Sequence, residues 1–204
     1  MLSFEEKEAK SAPPAPFTTS TLQQAASNAL KFTPKRTMDL AQKLYEGGHI
    51  TYMRTDSPNL SEAALEEIRA YAEEKGLPLS DKPRSWKSKA GAQEAHEAIR
   101  PTHIDVEEVE LEQGNGMDAK FVADAAALYK LIQMRTLACQ LADAIYSVRV
   151  VRLAASLEDK QVIFEARGRT LMSPGWTVLT AKALKKRTRK SPAIQFLFSK
   201  KGMR

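Results

Sequence analysis

Cysteine is nearly absent from this 204-residue chain: Cys139 stands alone, so no internal disulfide can form and no multi-cysteine zinc site can be built. Histidine is scarce too. His49, His96 and His103 show no metal-ligand spacing among themselves or with Cys139, and no bound metal is expected in this chain. No apolar run approaches the ~20 residues that cross a bilayer, so no membrane partnership is expected. The opening Met1-Leu2-Ser3-Phe4-Glu5-Glu6 is too acidic to begin a signal peptide, and the expected compartment is the cytoplasm. No internal repeat occurs. One stretch lacks acids altogether. From Lys182 to Arg204 there are nine Lys and Arg and no Asp or Glu, which leaves 22 basic and 25 acidic residues elsewhere, net −3. The formal charge of +6 therefore belongs to the tail and says little about nucleic-acid binding by the rest. With 43% hydrophobic and 27% charged residues, the chain reads as globular, large enough for one good core or two modest ones.

Periodicity divides it further. Glu5 to Pro16 is acidic and then rich in Pro and Ala, either a short strand or a linker that crosses between domains. Ser20 with Gln23 reads as a capping box for a helix through about Leu30, and Thr33-Pro34 opens a second that stops at Gly47-Gly48. Leu40, Ala41 and Leu44 form its inward stripe, with Thr37 before them. Ser61 caps a third helix with Leu65, Ile68 and Ala72 facing inward, ended by Gly76-Leu77-Pro78. Glu94 to Ile99 reads as a helical turn. A longer helix is expected from about Asp118 to Gln140, with Phe121, Ala125, Leu128 and Ile132 on one side and Cys139 as packing. Beyond residue 141 the period changes to two. Tyr146 to Leu153 and Gln161 to Arg169, with a turn at Glu158-Asp159, predict an antiparallel pair. The fold class is α+β.

The stretch Gly47-Gly48-His49-Ile50-Thr51-Tyr52-Met53-Arg54-Thr55-Asp56-Ser57 carries the most chemistry. If Ile50 to Ser57 is an extended strand, Tyr52, Arg54 and Asp56 share one face. A phenol, with an ordinary pKa of about 10, needs positive surroundings or a base to act as a nucleophile. Arg54 supplies such a charge, and its planar fork can hold phosphate oxygens while Tyr52 attacks phosphorus. Tyr52 as a packing residue beside an ordinary Arg54–Asp56 surface pair is the competing reading. A second basic group, Lys82, Arg84, Lys87 and Lys89 around Trp86, fits a nucleic-acid backbone with one ring for stacking, or else a solvated loop.

Three segments taken together resemble the type IA DNA topoisomerases: Thr19-Ser20-Thr21-Leu22-Gln23-Gln24-Ala25-Ala26, the Leu44-to-Ser61 stretch around Tyr52, and Gln93-Glu94-Ala95-His96-Glu97-Ala98-Ile99-Arg100-Pro101. They stand in that family's order and approximate spacing, and the resemblance covers roughly residues 16 to 180. Met53 and Asp56-Ser57 are similar to the bacterial topoisomerase I branch. The resemblance implies a helical, winged-helix-like domain bearing the tyrosine, residues 15–140, inserted in an antiparallel β arch. Residues 1–14 would enter that arch and 141–180 return to it, with 181–204 a basic tail. Arg167-Gly168-Arg169 and Pro174-Gly175-Trp176 resemble arch sequence, and the two crossings, near Pro13-Pro14 and residues 138–145, are where such an arch would hinge.

By the same resemblance Tyr52 is the nucleophile that joins the 5′ phosphate of a cut strand, Arg54 positions the phosphate, and His96 contacts DNA and assists the reaction. Arg100, Lys87, Lys89 and Trp86 are expected on DNA, with Asp56 and Glu97 in support. The family also uses Mg²⁺ bound by an Asp-x-Asp-x-Glu motif in a domain that precedes the tyrosine. That motif is missing from this sequence. The chain therefore reads as the tyrosine-bearing portion of an enzyme, inactive alone. The resemblance implies a monomer that prefers single-stranded DNA and needs its N-terminal metal-binding domain as partner. Two helices followed by a strand also fit a noncatalytic winged-helix DNA-binding module.

Overall fold

The computed structural model describes residues 3–86, 97–109, 111, 118–157 and 160–179. In chain order these form β1 (Ser3–Ser11), α1 (Thr19–Leu30), α2 (Pro34–Glu46), α3 (Glu62–Glu74), α4 (Ala119–Ala138), β2 (Ala144–Leu157) and β3 (Lys160–Ser173). The class is α+β, as expected. No helix among the described residues is long and apolar enough to cross a membrane.

The helices start where side-chain oxygens can take up otherwise unpaired N–H groups. Thr33, Ser61 and Asp118 are N-caps of α2, α3 and α4, and Pro34 follows Thr33 in the first turn of α2, where a missing N–H costs nothing. The start of α1 differs from the expected Ser20–Gln23 box. Thr18 is the cap, its hydroxyl and that of Thr21 each accepting from the other's backbone N–H. Thr18 is extended (φ −95°, ψ 171°), as a cap must be, whereas Ser20 already lies within the helix.

Leu22 and Ala26 of α1, Leu40, Ala41 and Leu44 of α2, and Ala125, Leu128, Tyr129 and Ile132 of α4 close around Phe17, Ile50, Met53 and Ile99. Arg36 of α2 donates twice to Asp124 of α4, at 2.8 and 3.2 Å, and lies 4.6 Å over the Phe121 ring. A smaller cluster joins Ala64 and Ile68 of α3 to Ile104 and Leu137. Leu65, expected inside, is half-buried and lines a surface groove with Arg69, Leu79 and Pro83, because Ala64 takes the inward place with Ile68 and Ala72.

β1, β2 and β3 make one antiparallel sheet in that order, so β1 lies beside β2 although all four helices intervene in sequence. Ser3 faces Arg152 and Ser11 faces Ala144. The strands run longer than the predicted Tyr146–Leu153 and Gln161–Arg169, and Glu158-Asp159 lies outside the described residues. The acids of β1 and β3 meet the bases of β2: Glu5 of β1 and Glu165 of β3 flank Arg152 at 2.6 and 2.8 Å, and Glu6 pairs with Arg149 at 3.1 Å. Exposed pairs of this kind add little individually, yet opposite charges across the ladder favour this register. The turn at Gly175 fastens the end of the sheet. Trp176 donates its backbone N–H to Ala142 O and its indole N–H to Ser11 O, both at 2.9 Å.

Candidate active site

α2 delivers the chain into the site. Gly47 caps it, and Gly48 takes the left-handed conformation (φ 72°), which costs a glycine nothing. This reversal lets His49 donate to Leu44 O at 2.9 Å and drops Ile50 into the core. Past His49 the chain is extended without being the expected strand. It bends at Thr51 and Met53, and its one bridge among the described residues is Ile50 opposite Pro101. Burial nevertheless alternates: Met53, Thr55 and Ser57 are buried, while Tyr52, Arg54 and Asp56 are exposed.

The backbone of this segment is held by the other two sequence segments. From the first, Thr19 donates its N–H to Thr55 O at 2.9 Å, and its hydroxyl donates to Met53 O at 2.8 Å. The same hydroxyl accepts the Thr55 N–H at 2.9 Å. From the third, Thr51 donates its N–H to Arg100 O at 2.9 Å and its hydroxyl to Ala98 O at 2.7 Å, and that hydroxyl accepts from Arg100 N–H at 3.0 Å. Thr102 closes the far end, donating to His49 O and, through its hydroxyl, to Gly48 O at 2.6 Å. Ile99 donates to Phe17 O at 2.8 Å, linking the first and third segments directly. Glu97 to Ile99 is accordingly extended where a helical turn was expected: the N–H groups of Ala98 and Ile99 go to the Asn59 and Phe17 carbonyls, not to carbonyls four residues back. Residues 94–96 lie outside the described residues.

Tyr52 is 47% exposed, and its ring meets that of Tyr45 edge to face, 5.2 Å between centroids at 67°. Such contacts orient a ring without closing it off. Tyr45 carried no signal of this role in the sequence, because the contact depends on how α2 ends. Arg54 and Asp56 make no hydrogen bond or ion pair among the described residues, so they do not form the surface pair the sequence allowed. A guanidinium placed thus, exposed two residues along from an exposed phenol and bonded to nothing described in the protein, is available to an anionic ligand.

Glu97 and Arg100 are placed differently. Glu97 accepts the Ser61 N–H at 2.7 Å and the Arg100 Nη2 and Nε groups at 2.9 and 3.2 Å. Burial would raise its carboxyl, but the bonds from Ser61 and Arg100 outweigh this and hold it below the usual range. Arg100 also donates to Pro101 O at 2.9 Å and lies 3.4 Å from Thr102 O, so a DNA contact would have to share these bonds. Of the second basic group, Arg84 is engaged by Asp143 at 2.6 Å and Leu141 O at 3.3 Å, bracing the start of β2. Trp86 is half-buried. Lys87, Lys89 and His96 lie outside the described residues.

Comparison with known proteins points one way. A family model described as DNA topoisomerase matches residues 1–198. The chain is 55% identical over 181 residues to "DNA topoisomerase I, plasmid" of Xylella fastidiosa (strain 9a5c), spanning 88% of this chain and 26% of that protein. It is 45% identical over 181 residues to DNA topoisomerase 1 of Escherichia coli (strain K12), spanning 87% and 19%. Among solved structures, full-length topoisomerase I from Thermotoga maritima is similar, with TM-score 0.64 and 32% identity over 95% of this chain and 30% of that one. The chain thus spans roughly a fifth to a quarter of the length of these curated relatives.

Proposed function

The chain belongs to the DNA topoisomerase family, and from that premise we propose that it is the tyrosine-bearing part of a type IA enzyme. Such an enzyme cuts one DNA strand through a 5′-phosphotyrosine, reseals it and relaxes negative supercoils. The observation that carries this reading is the exposure of Tyr52 and of Arg54, which has no partner among the described residues, on a segment whose backbone is clamped by Thr19, Thr102 and the bonds of Thr51 to Ala98 and Arg100. Fixing the main chain while leaving the two functional side chains outward is what in-line attack on a bound strand requires.

In the proposed step the Tyr52 oxygen forms a bond to phosphorus as the bond to the 3′ oxygen breaks. The phenol loses its proton and the departing 3′ oxygen gains one. One ester replaces another, so resealing is the reverse reaction and consumes no ATP. Arg54 neutralises the phosphate oxygens as charge builds on them. His96 is proposed to contact the DNA and assist the proton movements, and Asp56 to orient Arg54 once phosphate is bound. Arg100 and Glu97 hold the third segment in place, and Lys87, Lys89 and Trp86 track a single strand by charge and stacking.

We take the helical portion as the winged-helix-like tyrosine domain inserted in an arch that includes β1, β2 and β3. Mg²⁺ belongs to the proposed parent reaction, but the described residues around Tyr52 do not fit it: Asp56 is the one carboxylate on that face, and Mg²⁺ takes several oxygens in octahedral array. The partner would be a preceding metal-binding domain of the same enzyme, working as a monomer in the cytoplasm, and this chain alone would be inactive.

The test mixes the chain with a separately expressed metal-binding portion of a bacterial topoisomerase I, Mg²⁺ and a labelled single-stranded oligonucleotide, then traps covalent adducts under denaturing conditions. An adduct that needs both components and disappears in Tyr52→Phe is expected. Absence of adduct while the two proteins demonstrably bind would leave a noncatalytic DNA-binding module as the better reading.

A further inference from the structure

Away from Tyr52, a second group of chemically active side chains comes together where α3 meets the loop after the third segment. Ligand atoms of Glu67, His103 and Asp105 all lie within 4.8 Å of one another. We propose that these three residues form a site for a divalent transition metal of the Zn²⁺ type, held by one imidazole nitrogen and two carboxylate oxygens with water completing the coordination.

The site is built by packing. Ile104 is 2% exposed and plugs the small core between α3 and α4, so its neighbours His103 and Asp105 are left outside, flanking it. Glu67 reaches them from α3, one residue before buried Ile68, and its Oε1 accepts the Ile104 N–H at 2.9 Å. That bond orients one carboxylate oxygen and leaves the other for an ion, the arrangement by which outer hydrogen bonds fix metal ligands.

The loop is equally well fixed. Gln133, 1% exposed, donates to Ile104 O and Val106 O at 2.9 and 2.8 Å, and the Tyr129 hydroxyl donates to Val106 O at 2.8 Å. Three ligands on a backbone already ordered lose little freedom on binding. Electrostatics favours a cation as well. Neither Glu67 nor Asp105 pairs with a Lys or Arg among the described residues, so both charges are open to an ion. The imidazole selects among cations, suiting Zn²⁺, Co²⁺ or Ni²⁺ where Mg²⁺ and Ca²⁺ prefer oxygen alone.

An ion here would act on the mount of Tyr52. Thr102, next to His103, holds the carbonyls of Gly48 and His49. Tying His103 and Asp105 to Glu67 would join that brace to α3 and stiffen it.

The experiment titrates the untagged 204-residue chain with Co²⁺ alone and follows the cobalt absorption bands, then adds Zn²⁺, or Mg²⁺ as a control. One equivalent is expected to bind, to be displaced by Zn²⁺ and to survive Mg²⁺ at equal concentration. His103→Ala and Asp105→Asn should each weaken binding by about tenfold or more, with His49→Ala unchanged. Both side chains are exposed, so circular dichroism and melting of the metal-free variants should match the parent, and the rise in melting temperature on adding Zn²⁺ should be lost. No saturable cobalt band, or a band that persists in His103→Ala, would overturn the proposal. These readouts need no DNA and are independent of the topoisomerase reading.

Discussion

Thr19 and Thr55 hold each other in both directions: the Thr19 N–H donates to Thr55 O, and the Thr55 N–H donates to the Thr19 hydroxyl, each at 2.9 Å. This places the first turn of α1 against the chain just beyond Arg54. Thr19→Val keeps the shape but leaves a part-buried N–H without its acceptor, at a cost of about 1–3 kcal/mol. Urea unfolding should show that loss in Thr19→Val and near-parental stability in Thr19→Ser. Equal midpoints for all three would mean that water replaces the hydroxyl.

Tyr45 should act through Tyr52. Removing the edge-to-face contact in Tyr45→Ala gives up about 0.5–1.5 kcal/mol of ring orientation, up to roughly tenfold in the rate of adduct formation with the complementing metal-binding portion. Tyr45→Phe retains the ring and should react at the parental rate. If the phenylalanine variant fails as badly as the alanine one, the hydroxyl of Tyr45 matters and the packing argument is wrong.

Glu97 makes the fold acid-sensitive. Its carboxyl is held below the ordinary glutamate value by Ser61 and Arg100 against the opposing effect of burial. The unfolded chain therefore takes up the proton first: the contribution is complete above about pH 4.3, the unfolded value, and is lost as pH falls through the lower folded value. Urea midpoints taken from neutral pH down to about pH 3 should fall more steeply for the parent than for Glu97→Gln. At neutral pH the glutamine variant should be the less stable. Parallel profiles would refute the assignment.

Gly175 has φ 45°, and a side chain there would run into the backbone carbonyls of Asp143 and Ala142. Gly175→Ala should therefore open the turn that ties Trp176 to Ser11, destabilising by about 1–3 kcal/mol. In a Trp86→Phe background the remaining tryptophan emission should shift to the red in urea at a lower concentration than in the parent. A coincident transition would mean that the turn relaxes at no cost.

The sequence by itself determines what neighbours along the chain decide. Thr33-Pro34, Ser61 and Asp118 open helices because a cap needs only the next few N–H groups, and the outward turn of Tyr52, Arg54 and Asp56 comes from the alternation of an extended chain. The antiparallel β2–β3 pair is legible for the same reason. Tertiary structure decides the rest. Thr19 faces Thr55 because that chain segment is brought alongside, and Thr51 reaches Ala98 and Arg100 for the same reason. Glu67 meets His103 and Asp105 only because Ile104 is driven into the core between α3 and α4. Hydrogen-bond and ligand partners so far apart in sequence are selected by where the packed backbone places their atoms, and no local pattern carries that information.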